Sequence, residues 1–336
     1  MKDLLKTSDL TIEDMHLLLD LAAEFKANPL GKHGLLTGKT VVLYFAKPST
    51  RTRLSFEAAV ARLGGVASTV GPQELQIGRG ESLEDTAHVV SRYAEAFVIR
   101  TYADDDVQLV AEAATIPVIN ALTDGHHPCQ CLADLMTLKE AWGTFSGKQL
   151  AYVGSDNNVL TSLMQASAMA GLHLTIATPP GYEPDETLFA QSWGIAKRMG
   201  GSVNIMHEPA DAVKGSDAVY TDAWLSMGDS ELTRAERFAA LTPYRVTPQM
   251  MSEANPDAVF MHCLPAHRGE EVTAEVIDGP QSIVFDQAEN RLHTGQAVLY
   301  ALITGMLTGT MGASMPATTT ANGKVKSSIS SSVHAG

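Results

Sequence analysis

A chain of 336 residues is long enough for two domains of ordinary size. With 45% hydrophobic and 18% charged residues it suits a soluble fold with a sizeable core, and its net charge of −14 argues against nucleic acid or an anionic membrane as partner. Cys129, Cys131 and Cys263 make no disulfide framework, which points to a reducing cytoplasm.

In chain order, a first helix starts near Thr11, whose side chain can cap it, and fades by Asn28-Pro29. Strand TVVLYFA (40–46) feeds Lys47-Pro48-Ser49-Thr50-Arg51-Thr52-Arg53, and a helix over 52–63 stops at Gly64-Gly65. VASTV, the loop LQIGRGESLED and a helix over 83–94 precede strand AFVIR, which ends at Arg100. A helix over 105–114, strand PVINAL, the loop TDGHHPCQ and a helix over 131–142 follow.

The pattern then repeats. LAYVG reads as a strand and 158–171 as a helix; LHLTIATP precedes a helix over 185–199. SVNIMH, AVYTDA, AVFMHCLP and SIVFDQ read as further strands. Their short, nearly continuous apolar runs suit strands covered on both faces. The spacing predicts an α/β chain with two doubly wound parallel-sheet domains, 1–138 and 139–287. A last helix over 288–308 completes the first domain. Residues 296–315 are apolar, but without a positive flank they read as that buried helix rather than a membrane span. The Ser/Thr/Ala/Gly tail from 310 reads as disordered.

Ligands bind beyond the carboxyl ends of parallel strands. The segments there are polar: KPSTRTR, Arg100, HHPCQ, GSDNN, TDAWLSMG and HCLP. A strand–loop–helix junction offers free N–H groups and the positive end of a helix dipole. Ser49, Thr50 and Thr52 add hydroxyls, and Arg51 adds a guanidinium fork that matches phosphate; Arg53 is the weaker of the two arginines. HHPCQC invites zinc, but Cys129 and Cys131 are two apart and do not face each other on a helix. His127 and Gln130 instead suit a carbonyl and an NH2 group. A P-loop and the Gly-x-Gly-x-x-Gly of a dinucleotide-dependent dehydrogenase are both absent. A two-lobed anion-binding protein without catalysis fits the same arginines.

STRTR, HPCQ, the Asn157-Asn158 pair, Asp222 with Ser226-Met227-Gly228, and His262-Cys263-Leu264-Pro265 resemble, in order, the aspartate/ornithine carbamoyltransferase family, over about residues 1–308. The Ser-Met-Gly and HCLP segments resemble its ornithine-specific members. The resemblance implies that the trapped anion is carbamoyl phosphate, with Ser49, Thr50, Arg51 and Thr52 on its phosphate. Arg100, His127 and Gln130 would grip the carbamoyl group, and Arg291 would reach the same ligand. Gln76 would be lent to the site of a neighbouring subunit, because the family assembles as trimers or multiples of them. Asn158, Asp222, Ser226 and Met227 would bind L-ornithine, and Cys263 and Leu264 would meet the point where the two substrates join. No metal or organic cofactor is implied. Arg100, His127 and Cys263 are the candidate catalytic groups. Cys263 admits three roles: a covalent nucleophile, a core thiol, or the favoured one, a non-covalent group beside the amine. Putrescine and acetylornithine are the alternative acceptors. The acid of Gly154-Ser155-Asp156-Asn157-Asn158 sits one place later than in the family's Gly-Asp-x-Asn-Asn, which leaves its part open.

Overall fold

The computed structural model describes residues 1–225 and 231–310. Ser226, Met227 and the rest of the Ser-Met-Gly segment, and the tail from 311, lie outside the described residues.

Among those residues, nine strands build two sheets, parallel throughout. The first contains β1 (Thr40–Phe45), β2 (Val66–Val70), β3 (Ala96–Arg100) and β4 (Val118–Leu122) in the order β2-β1-β3-β4. Helices α1 (Ile12–Ala27), α2 (Arg51–Arg62), α3 (Leu83–Val90) and α4 (Asp104–Ala113) accompany it. α5 (Pro128–Trp142) leads to the second sheet, β5 (Gln149–Val153), β6 (His173–Ala177), β7 (Ser202–Met206), β8 (Ala218–Thr221) and β9 (Val259–His262), ordered β7-β6-β5-β8-β9. α6 (Asn158–Met169), α7 (Glu186–Met199), α8 (Pro209–Val213), α9 (Glu231–Leu241), α10 (Pro248–Met251) and α11 (Ala274–Ile277) belong with it. α12 (Val284–Ile303) returns to pack on α1, α2 and α5.

Local chemistry sets several boundaries. Thr11 caps α1: its Oγ1 accepts from Asp14 N at 3.0 Å and its own N–H donates to Asp14 Oδ2 at 3.1 Å. Gly64 ends α2 at φ 89°, where a Cβ would meet the His33 carbonyl at 2.0 Å. α5 starts at Pro128, not at 131 as expected, because proline suits a first helical position whose N–H has no intrahelical partner. SIVFDQ is not a strand. Ser282 makes a single bridge to Phe260 and α12 begins at Val284, four residues ahead of the expected start. A three-residue apolar run does not separate strand from helix, and the buried Val284, Gln287 and Arg291 fall at helical spacing. α12 closes at Ile303 rather than 308, with Gly305 at φ 69°. α9 is not among the elements read from the sequence. No helix among the described residues is long and apolar enough to cross a membrane.

The sheet orders place the ligand region. Each sheet reverses its winding once, between β1 and β3 and between β5 and β8. The segments leaving those four strands start at Ala46, Thr101, Gly154 and Asp222. Such switch points open a crevice at the strand ends.

Candidate active site

A cleft of about 420 Å³ lies where the two crevices meet. β1 delivers Ser49, Thr50, Arg51 and Thr52 at the start of α2. Arg100 is the last residue of β3 and pairs in register with Phe45, which brings it beside that loop. His127 and Gln130 come from the first turn of α5 and Arg291 from α12. The second sheet contributes Asn158, Asp222, Cys263 and Leu264. The structure thus gathers twelve of the fifteen candidate residues. Gln76 is exposed on a short 3-10 helix (Gln76–Arg79) and does not line the cleft; Ser226 and Met227 lie outside the described residues. Arg53 points away from the cleft into an ion pair with Glu57 at 2.9 Å. Asp156, the displaced acid, is also absent from the lining.

Three guanidiniums share the half of the cleft formed by the first sheet and α12. Burial, with Arg291 adding to it, lowers the Arg51 pKa. Burial and then Arg291 and Arg51 bring Arg100 down to about 10, and burial lowers Arg291 as well. All three remain cationic at neutral pH, and each destabilises the others, so a bound dianion relieves the repulsion. Arg291 Nη2 donates to Thr52 Oγ1 at 3.1 Å and Nη1 donates to Gln130 Oε1. Nη1 also approaches His127 Nε2 at 3.5 Å.

Arginine can only donate, so His127 Nε2 accepts and the ring proton lies on Nδ1. Burial, then Arg291, Arg100 and Arg51, hold the His127 pKa well below the usual value, which keeps the ring neutral. Among the described residues, His127 Nδ1, Arg100 Nε and Arg291 Nε are buried without a partner.

The half formed by the second sheet carries the Asp222 carboxylate. In-register pairing of Thr221 with His262 sets the next residues side by side, and the Cys263 thiol donates to Asp222 Oδ1 at 3.0 Å. Burial first, then the Asp222 carboxylate, raises the Cys263 pKa well above the ordinary value. The sulfur is therefore a neutral thiol. Asn157 caps α6, its Oδ1 accepting from Leu160 N at 2.8 Å, and donates through Nδ2 to Asp222 Oδ2 at 2.9 Å. Asn158 spans the two halves, Nδ2 donating to the Thr123 carbonyl at 2.5 Å.

Leu264 stands at φ 59°, in the left-handed region that a branched residue seldom enters. Its N–H donates to His262 Nδ1 at 2.8 Å, so His262 Nε2 carries the proton and donates to Glu271 Oε1 at 3.2 Å. Burial opposes the Glu271 charge, but the donations of His262 and of the His267 N–H prevail and hold its pKa below the usual value. A fully buried acid thus anchors a strained turn.

Several contributors escape sequence reasoning. Lys47, almost wholly buried, pairs with Asp124 and lies 4.3 Å from the Tyr102 ring centroid. Arg237 of α9 donates to the Trp224 carbonyl and to Ser155 Oγ, both at 2.8 Å, bracing the segment after β8. The lysine beside STRTR was a visible signal; Arg237 had none. Cys129 and Cys131 are buried thiols, Cys129 pushed up to about 11 by burial and Cys131 raised as well. Both are poor thiolate ligands.

Residues 2–140 match the carbamoyl-P binding domain of the aspartate/ornithine carbamoyltransferases, and residues 146–302 match their Asp/Orn binding domain. An anabolic ornithine carbamoyltransferase of Pyrococcus furiosus is 50% identical over 306 residues, 90% of this chain and 96% of its own. An ornithine carbamoyltransferase of Bacillus thuringiensis subsp. konkukian is 48% identical over 301 residues, 90% and 94% of the two chains. A solved ornithine carbamoyltransferase of P. furiosus shares the fold at a TM-score of 0.86 and 49% identity, covering 91% of this chain and 98% of that one. An anabolic ornithine carbamoyltransferase of Campylobacter jejuni does so at 0.85 and 33%, covering 91% and 100%. With both lobes matched and relatives of this identity over nine-tenths of its length, the chain belongs to the aspartate/ornithine carbamoyltransferase family.

Proposed function

We propose that this protein transfers the carbamoyl group of carbamoyl phosphate to the side-chain amine of L-ornithine, giving L-citrulline and phosphate in arginine biosynthesis. The observation that carries the reading is one cleft with three mutually repelling guanidiniums on one side and an Asp222–Cys263 pair on the other. Residues 1–138 with the last helix form the donor domain, and 139–287 the acceptor domain.

The phosphate sits on Ser49, Thr50, Arg51 and Thr52 at the start of α2. The carbamoyl group lies against Arg100, His127 and Gln130, within reach of Arg291. Ornithine enters beside Leu264 with its α-ammonium toward Asp222 and Asn158, and Ser226 and Met227 are its further binding residues. A free primary amine titrates near ~10, so it must shed a proton before it attacks, and nearby guanidiniums favour the neutral form. As the amine bonds to the carbamoyl carbon, charge builds on the carbamoyl oxygen. The Thr52 hydroxyl, His127 Nδ1–H and Arg100 are the donors for it; losing one such donor typically costs about 3 kcal/mol. The C–O bond to phosphate then breaks, the nitrogen passes its surplus proton to the departing phosphate, and the arginines stabilise that phosphate. A thiol whose pKa is raised is a poor nucleophile, which supports the non-covalent role for Cys263.

Gln76 lies away from its own cleft, consistent with service to a neighbour's in a homotrimer; a single-chain mass in solution would contradict that. The cytoplasm is the compartment that fits three free thiols. The reading is tested by citrulline-type product formation from carbamoyl phosphate and a panel of amines. Ornithine should exceed putrescine, acetylornithine and aspartate by at least about 100-fold in kcat/KM, since each alternative lacks or alters a charged group that the cleft pairs. Equal rates with ornithine and putrescine would overturn the acceptor assignment.

A further inference from the structure

Behind the arginine wall a chain of buried side chains runs inward from Gln130. Gln130 Nε2 donates to Asp134 Oδ1 at 2.8 Å, and Gln287 Nε2 donates to the same oxygen at 2.7 Å. Tyr220 donates to Asp134 Oδ2 at 3.3 Å and accepts from Gln287 Nε2 at 3.1 Å. Gln287 Oε1 accepts from the His262 N–H at 3.0 Å. Asp134, Gln287, Tyr220 and His262 are at 0% exposure and Gln130 at 1%, so water does not compete for these bonds. The chain joins α5, α12, β8 and β9, that is, both halves of the cleft.

Its direction follows from one group. Asp134 Oδ1 has only lone pairs to offer, so each carboxamide must turn its NH2 inward and its oxygen outward. For Gln287 the outward oxygen holds the strand end before Cys263. For Gln130 it faces Arg291 and the cleft, with one lone pair left over. A carboxamide turned the other way would present NH2 to a guanidinium and to the donor's own NH2, with no acceptor on either side. Burial pushes the Asp134 carboxyl up to about 7 against the donations of Gln130 and Gln287. A proton on Oδ2 would leave Oδ1 an acceptor still.

We infer that Asp134 is a positioning residue for the transfer reaction: by accepting from both buried carboxamides it compels Gln130 to offer an oxygen to the carbamoyl NH2, and it ties that setting to the β9 strand end. The inference rests on the proposed reading that carbamoyl phosphate fills the cleft. Asp134→Leu removes the acceptor and frees both carboxamides. KM for carbamoyl phosphate should rise about 10- to 100-fold, the range for a buried group left unpaired. KM for ornithine should stay within about 2-fold. Asp134→Asn can still present oxygen to both glutamines and should rescue to within about 5-fold of native. On a Gln130→Ala background neither substitution should move KM for carbamoyl phosphate further, because the residue it acts through is gone. If the leucine chain does not fold, Asp134→Ala, which also removes the acceptor, decides by the same criterion. An unmoved KM, equal shifts for both substrates, or equal shifts with and without Gln130 would overturn the inference. A native chain that makes no citrulline would overturn the underlying reading instead.

Discussion

Arg291→Met is expected to lower kcat/KM for carbamoyl phosphate by about 10³-fold, the largest effect of any single substitution in the cleft. The guanidinium donates to Thr52 and to Gln130 and lies 3.5 Å from His127 Nε2. On the proposed reading, removing it withdraws a charge from beside the carbamoyl group and unties Thr52, Gln130 and His127. Stability should respond little. The charge is fully buried beside two like charges, and methionine fills similar volume, so the loss is about 1 kcal/mol, or roughly 2–4 °C in Tm. Steady-state kinetics with carbamoyl phosphate varied, beside a thermal melt, separates the two. A fall in Tm of more than about 10 °C with kcat/KM kept within 10-fold would mean that Arg291 is a structural residue.

Asp222→Ala should act on the other substrate. Its carboxylate is held by Asn157, the Ala223 N–H and the Cys263 thiol, and it is the acid of the acceptor half. Without it kcat/KM for ornithine should fall about 10²- to 10³-fold, as expected when one partner of a desolvated charge pair is removed. KM for carbamoyl phosphate should stay within about 3-fold. A second readout follows from electrostatics. Burial is the first cause of the raised Cys263 pKa and the Asp222 carboxylate the next, so the substitution must bring that pKa down. Alkylation by iodoacetamide at pH 8 should then be faster in the variant, because more thiolate is present. Unchanged alkylation together with unchanged ornithine kinetics would remove Asp222 from the site.

Legibility in the sequence followed distance along the chain. STRTR, HPCQ and HCLP each pack several functional groups into a few residues directly after a buried strand, so periodicity alone locates them beyond a strand end. Parallel topology then does the rest, because β1 and β3, and β8 and β9, bring their ends side by side. What depends on remote pairing was not legible. Asp134 and Gln287 are 153 residues apart, and Arg291 and Gln130 are 161. No local pattern marks either contact, and Arg291 entered the site only through the family resemblance. The same limit explains SIVFDQ: α12 is decided by Gln287 and Arg291 packing on α5, information that the three apolar letters do not hold. Asn157 and Asn158 read as a pair, yet adjacent positions at a helix start point apart, one capping and holding Asp222, the other reaching Thr123.

On the proposed reading an acidic protein keeps three cations in one wall, Arg100 and Arg291 buried and Arg51 half-buried, so that a phosphorylated carbamate is held while an amine approaches. Calorimetric titration of the native chain with carbamoyl phosphate, without ornithine, and of Arg51→Gln under the same conditions, tests it most directly. One site per chain is expected for the native protein, displaced by inorganic phosphate, with affinity at least about 30-fold weaker in the variant. Binding of equal strength in the two chains would contradict the claim.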